Sequence, residues 1–240
     1  HAIDHINQLI VPGGNWFEMN GSHPILAVDQ TNIEVGGTFS SVAGTLKSDI
    51  SNESLFTVGA IAVPNFKSCY TPDAPNDAKG PFKVTVDGDF HNKLGGSIDL
   101  SSRHFHDSVT TRPIGNVLTI TGDYHGETGS SIYMNTHWDS PGDAFGADSK
   151  SDRLIIEGKM VGDGTTRVIP ISRDTGAEAV IDGSIKAVAN HVKNTLDVIE
   201  TGGTYDGAFV GVAQTTGAGE VQLVRNNDNW RWTTNATLHQ

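Results

Sequence analysis

The stretch KVTVDGDFHNKLGGSIDL, residues 83–100, decides the fold, because the same pattern occurs twice more in the chain. The later copies read LTITGDYHGETGSSIYM, residues 118–134, and LIIEGKMVGDGTTRVIPI, residues 154–171. Sequence repeats of this length are typical of stacked-repeat and propeller architectures.

Each copy is anchored by a glycine with apolar residues at alternating positions on both sides, which is the period of a β-strand. The anchoring glycines are Gly88, Gly122 and Gly158, which lie 34 and 36 residues apart. Equivalent positions hold side chains of similar size, so we expect the copies to stack with like residues in columns about 4.8 Å apart. The predicted structural columns are Val86, Ile120 and Ile156; Phe90, Tyr124 and Met160; and Ile98, Ile132 and Val168.

These columns predict an all-β protein built as a parallel β-helix. A β-propeller is the alternative, but its blades need four strands in about 40 residues. Each copy here contains three short strand-like runs. A degraded fourth copy is predicted at residues 33–46, which read IEVGGTFSSVAGTL.

The C-terminal segment GEVQLVRNNDNWRWTTN predicts a β-hairpin with a polar turn at residues 226–229. A stack of repeats leaves an unpaired edge at its end, and a hairpin would cover that edge. We expect irregular coils with loop insertions over residues 1–115 and regular coils with the cap over 116–240, in one continuous domain. The predicted cap residues are Val221, Leu223, Trp230 and Trp232.

Composition narrows the class of protein. The 240 residues include 28 acidic and 16 basic side chains, for a formal charge of −12, which disfavours nucleic acid and anionic membrane surfaces as partners. The 28 glycines suit many short strands joined by turns. The first residue is His1, from which we expect a processed protein or an excised fragment. The one cysteine, Cys69, suits either the cytosol or an exported protein that crosses a periplasm unfolded.

The C-terminal half resembles the passenger region of autotransporters, the pertactin-like surface proteins of Gram-negative bacteria. The resemblance rests on NVLTITGDYHGETGSSIYMNTHW, SDRLIIEGKMVGDGTTRVIPIS, GAEAVIDGSIKAV and EVQLVRNNDNWRW, in that order over roughly residues 116–235. HVKNTLDVIETGGTYDGAF is only loosely similar to the family, and residues 1–80 do not share its pattern.

The resemblance implies a right-handed parallel β-helix at the cell surface or secreted, exported through a translocator β-barrel that follows this region. It also implies an autochaperone role, in which the C-terminal end folds first and promotes secretion. The predicted function is therefore a non-enzymatic stalk of a surface adhesin or virulence factor. We expect a monomer without cofactor or metal, with a host surface protein or glycan as a further partner.

An enzyme is the first alternative. Asp89 and Asp123 each follow an anchoring glycine, and stacked carboxyls about 5 Å apart would suit a retaining glycosidase. Exposed carboxylates at Gly-Asp turns are more common, and Lys159 holds the third equivalent position. The chain lacks the Gly-x-Ser-x-Gly, His-Glu-x-x-His and phosphate-loop motifs.

Other residues have a possible binding role beside an ordinary structural one. His91 and His125 share a position, and with His104 and His106 they offer imidazoles for a metal, although no zinc spacing accompanies them. Trp230 and Trp232 would suit sugar stacking, but burial in the cap is favoured.

A third alternative is a binding module in which the inserted loops at residues 101–116 and 137–153 contact a host protein. Cys69 lies in a further proline-rich excursion, residues 66–81, and is read as a small hydrophobic residue.

Overall fold

The fold is all-β, as predicted. The computed structural model describes residues 6–19, 25–59, 81–102, 113–137, 150–173, 175–181, 197–217 and 219–234. These residues form strands and turns without a helix. Consequently none of them forms a helix long and apolar enough to cross a membrane.

The first sheet consists mainly of strands paired in parallel in sequence order. Two short strands, β8 and β11, follow a bend and continue the same sheet. Its parallel strands are β1 (Ile6–Val11), β3 (Ile25–Ile33), β5 (Gly44–Asn52), β7 (Lys83–Asp87), β8 (Phe90–Asn92), β10 (Val117–Ile120), β11 (Tyr124–Gly126), β14 (Arg153–Ile156) and β17 (Asp197–Thr201).

The second sheet contains the alternate strands of the chain, which also pair in parallel. A short strand, β13 (Lys150–Ser151), joins it in antiparallel pairing. Its parallel strands are β2 (Trp16–Met19), β4 (Thr38–Ser41), β6 (Leu55–Val58), β9 (Ser97–Asp99), β12 (Ser130–His137), β15 (Thr166–Ile171) and β18 (Phe209–Val210).

The chain therefore passes repeatedly from the first sheet to the second and back, and each passage is one repeat. The first sheet continues across the predicted boundary at residues 115 and 116, because β10 pairs with β7 on one side and β14 on the other. Strands of two sheets that face each other carry apolar residues on their inner faces. The buried apolar side chains form one cluster that extends from Val11 to Trp232.

The predicted fourth copy at residues 33–46 is wrong in its frame. Leu46 pairs with Val86, so the repeat before β7 begins at Gly44 rather than ending at residue 46. The misleading signal is the glycine pair that includes Gly36. This residue lies in the turn between the two sheets, with φ 84°, as Gly95 does in a later repeat with φ 82°. A turn glycine and an anchoring glycine look alike in sequence.

The C-terminal strands form a group at the end of the first sheet that is antiparallel except for the parallel pair of β16 and β19. Strand β20 (Glu220–Asn226) pairs with β21 (Asn229–Thr234) in a hairpin, and β21 pairs antiparallel with β17. Strand β19 (Val212–Thr215) pairs with β20 on its other side, and β16 (Val180–Ile181) pairs with β19. The hairpin of the prediction is thus present, with its turn between Asn226 and Asn229.

The longest connections between the described strands share one position in the repeat. They run from a second-sheet strand to the next first-sheet strand, and we call this position the return corner. The connections there are residues 20–24, 42–43, 59–82, 100–116, 138–152 and 172–196. The opposite connections, from the first sheet to the second, span two to nine residues.

Candidate functional site

The predicted aliphatic columns lie in the core between the sheets. Val86 pairs with Ile120, and Ile120 pairs with Ile156, each side chain almost fully buried. The second column is paired in the same way and buried, and it contains Ile98, Ile132 and Val168. The columns therefore hold successive repeats in one register.

The predicted aromatic column is in contact with further rings of the second sheet. The rings of Phe90 and Tyr124 are stacked with centroids 6.2 Å apart. Met160, in the next repeat, forms a parallel β-bridge with Tyr124. Neighbouring rings extend this contact through the core at centroid distances of 5.2 to 6.2 Å. Among the described residues the series contains Phe17, Phe39, Phe56, Phe90, Tyr124, Phe209 and Trp230. It links the first described repeat to the C-terminal hairpin.

A buried chain of polar side chains runs beside this stack. Asn52 Nδ2 donates to Asn92 Oδ1 at 3.0 Å, and Asn92 Nδ2 donates to Tyr124 Oη at 3.2 Å. Tyr124 Oη lies 2.8 Å from Thr166 Oγ1, and burial raises the pKa of the phenol to about 12. Gly126 holds the position equivalent to Asn52 and Asn92. A side chain does not fit at this position, because a Cβ there would lie 2.0 Å from Thr166 Oγ1. The tyrosine hydroxyl thus replaces the missing amide.

The aspartates considered as catalytic have a structural environment. Asp89 Oδ1 accepts a bond from the Asp123 backbone N–H at 2.8 Å, and Asp123 Oδ1 accepts one from the Lys159 N–H at 3.0 Å. Asp49, one repeat earlier, accepts the N–H of Asp89 at 2.9 Å. Each carboxylate therefore satisfies a backbone donor of the next repeat, which accounts for the row without a chemical role.

A different carboxylate, missed by the sequence reading, lies fully buried at the return corner. Asp152 Oδ1 accepts from the backbone N–H groups of Gly115 and Asn116 at 3.0 and 2.9 Å, and Oδ2 accepts from Asn135 N–H at 2.6 Å. Burial raises the pKa of Asp152 well above its usual range, and the three N–H bonds oppose that effect. The side chain ties three segments together.

Two buried amides complete this cluster. Asn135 Nδ2 donates to the carbonyls of Ser101 and Pro113 at 2.8 and 3.1 Å, which lie on either side of residues 103–112. Asn116 Nδ2 donates to the Leu100 carbonyl at 2.8 Å. The buried group therefore fixes the points where the two long insertions leave the sheets.

The hairpin is attached to the last repeat by a polar hub. Arg231 Nε donates to Asp197 Oδ1 at 2.8 Å, and the amides of Asn226 and Asn229 donate to the same carboxylate at 3.4 and 3.1 Å. Partial burial works to raise the pKa of Asp197, but these bonds outweigh it and hold the pKa below its usual value. The hub fixes the hairpin turn on β17.

The predicted cap side chains lie within the protein. Trp230 is 3% exposed, stands edge-on to Phe209 at 5.5 Å, and donates its indole N–H to Thr204 Oγ1 at 3.1 Å. Trp232, 1% exposed, pairs with Leu223 across the hairpin. Val221 is fully buried beside them. Indole rings placed in this way are not available as a platform for a sugar.

The histidines proposed as metal ligands are only partly described. His91 and His125 stack face to face with ring centroids 4.1 Å apart and an interplanar angle of 9°. His104, His106, Cys69 and the insertions 103–112 and 138–149 lie outside the described residues. Within the described part of the chain, groups of three or more metal-binding side chains are absent.

A comparison of the chain with known protein families and with curated proteins finds no match.

Proposed function

We propose that this chain is a section of right-handed parallel β-helix that serves as a non-enzymatic stalk in an exported bacterial surface protein of the autotransporter type. The observation that carries the proposal is the alternation of strands between two parallel sheets with equivalent residues in register. A connection between parallel strands of one sheet is right-handed in about 98% of cases, which supports the hand of the helix.

The C-terminal hairpin is proposed to close the stack and to promote its folding, as the autochaperone region of that family does. Two features support this role. Strand β21 pairs antiparallel with the edge of β17, which an additional parallel repeat would otherwise occupy. Trp230 is the last ring of the aromatic series, so folding of the hairpin supplies a template for the preceding repeat.

The location and partners follow from the same proposal. The protein is exposed at the bacterial cell surface or secreted, its translocator β-barrel is the partner for export, and a host surface protein or glycan is the further partner. A monomer is expected. The charge of −12 supports a partner other than nucleic acid.

A second candidate function, host-protein binding by the inserted loops, is favoured by one observation. The longest connections leave the sheets at the return corner, and Asp152 and Asn135 hold the ends of two of them, the insertions 103–112 and 138–149. Side-by-side departure would let several connections act as one surface. Replacing residues 103–111 by a short Gly-Ser linker tests this, because binding to host cells should be lost while the urea midpoint stays unchanged.

The experiment for the main proposal replaces both cap tryptophans, Trp230→Ala with Trp232→Ala. Removing a buried tryptophan costs about 3–5 kcal/mol. We expect slower refolding of the whole chain, loss of protease resistance that begins at the C-terminal repeats, and reduced surface display of the parent protein.

The matched control is Phe39→Ala with Phe56→Ala, which removes two fully buried rings far from the hairpin. This variant should lose resistance in the first repeats and keep a resistant C-terminal fragment. If the tryptophan variant refolds, resists protease and is displayed like the unchanged protein, the folding role of the hairpin is wrong.

A further inference from the structure

The exposed face of the sheet carries two imidazoles in direct contact on neighbouring repeats. His91 of β8 pairs with His125 of β11, and their rings are parallel within 9° at a centroid distance of 4.1 Å. A Cβ at Gly162 would lie 2.7 Å from His125 Nε2, so the next repeat packs against the far side of this ring. The two rings therefore have little freedom to separate.

One carboxylate lies beside the pair. Glu127 Oε2 is 2.5 Å from His91 Nε2, and Glu127 Oε1 accepts the Leu94 backbone N–H at 3.3 Å. The Glu127 pKa lies below its usual value, because these bonds and the nearby imidazoles outweigh the opposing effect of desolvation. The carboxylate can balance one positive charge on the pair but not two.

The remaining charges around the pair are few. Lys93 lies directly after β8 and adds a positive charge near His91. Strand β5 places the uncharged Ser51 opposite His91. Glu53 holds the position equivalent to Lys93 in the preceding repeat, Glu127 holds it in the next repeat, and Asp163 holds it in the repeat after that, as their paired neighbours show. Glu127 is the carboxylate that raises the pKa of His91, and Lys93 acts against it.

We propose that the stacked His91–His125 pair is an acid-sensitive joint, in which protonation sets positive charge against the neighbouring imidazole and loosens the contact between β8 and β11. This inference is independent of the proposed export function. Like charges about 4 Å apart repel each other, and the repulsion grows where partial burial lowers the effective dielectric constant. Histidine is the side chain whose ordinary pKa, about 6.5, places its change of charge near neutral pH.

The direction of the effect follows from linkage. Burial and His125 hold the pKa of His91 below the usual value of about 6.5, against the pull of Glu127. The unfolded chain therefore binds the proton more tightly than the folded chain. Stability is present in full above about pH 6.5 and is lost as the pH falls toward the folded pKa, tenfold in the folded-to-unfolded ratio per unit of pKa difference.

The test compares the chain with its His125→Val variant, which copies Val161 from the following repeat. Urea unfolding at pH 7.5 and 5.5 should show a larger acid loss in the unchanged chain, and the ring signals of His91 in NMR should titrate at higher pH in the variant. Equal acid losses, or a His91 titration that does not move, would overturn the proposal.

Two further variants guard against misreading a folding defect. His91→Ser copies Ser51 of the preceding repeat and should also reduce the acid loss. Glu127→Gln removes the balancing charge, so His91 should titrate at still lower pH and the acid loss should grow. A titration that moves upward in Glu127→Gln, or an acid loss that persists in His91→Ser, contradicts the joint.

Discussion

At the residue scale, the anchoring glycines are required by close approach of neighbouring repeats. A Cβ on Gly122 would lie 2.2 Å from Asp89 Oδ1 and 2.6 Å from the carbonyl oxygen of Gly88. A Cβ on Gly158 would lie 2.3 Å from the carbonyl oxygen of Gly122. Each glycine therefore leaves space for the backbone of the preceding repeat, which explains why a glycine occurs at this position in every copy.

Gly122→Ala should destabilise the protein by about 1–3 kcal/mol, the usual cost of forcing extra volume into a tight contact. The comparison variant is Gly203→Ala, where the nearest atom to the new Cβ is Lys159 Cβ at 3.4 Å. Urea unfolding should show a lowered midpoint for the first variant and little change for the second. Equal midpoints for the two variants would contradict the close-packing explanation.

The two kinds of aspartate should also respond differently to loss of charge. Asp152→Asn replaces one of two accepting oxygens by an N–H donor that would face a buried backbone N–H, at a cost of about 1–3 kcal/mol. Asp89→Asn keeps an amide oxygen for the one backbone bond seen at the surface, and should change stability by less than about 0.5 kcal/mol.

Thermal unfolding of both aspartate variants at pH 7 measures this difference. A large loss of stability in Asp89→Asn would show that the exposed row of Asp89 and Asp123 does more than hold the turn. It would support the hypothesis that these carboxylates are a functional pair. A negligible loss in Asp152→Asn would show that the return corner does not depend on a charged acceptor.

At the element scale, the hairpin is held to β17 by a charge that depends on pH. The pKa of Asp197 is lowered in the folded protein, so this group stabilises the fold above the unfolded value of about 3.9. The stabilisation is lost as the pH falls through that value toward the folded pKa. Arg231 is the partner that supplies the charge-assisted bond.

Arg231→Met should therefore lower the urea midpoint at pH 7, and the gap from the unchanged chain should narrow as the pH falls below about 4. Arg225→Met is the control, because its partner Asp206 is 93% exposed and such pairs contribute little. A gap for Arg231→Met that stays constant from pH 7 to pH 3 would show that the Asp197 hub does not govern the attachment.

At the scale of the whole molecule, the alternation of apolar residues is sufficient to align the later repeats. Val86, Ile120 and Ile156 pair in the structure in the order in which their copies align in sequence. The hairpin is also readable, because a polar turn separates two apolar strands. Where apolar side chains face one core, their alternation in the sequence therefore predicts which positions pair in the structure.

The parts that sequence reasoning missed are buried and polar. Asn52, Asn92 and Asp152 are residue types expected in exposed turns, yet each is fully buried and hydrogen-bonded to another repeat. Their partners are distant in sequence, so no local pattern marks them. The frame of the first repeats failed for a related reason, since Gly36 in a turn resembles an anchoring glycine.

The return corner has a practical consequence for engineering. Its connections range from residues 42–43 to residues 59–82 while the strands on either side keep their pairing. Length at this corner is thus uncoupled from register, and loop closure costs grow only slowly with length. The two-residue connection 42–43 is therefore a suitable point at which to graft a foreign peptide for display.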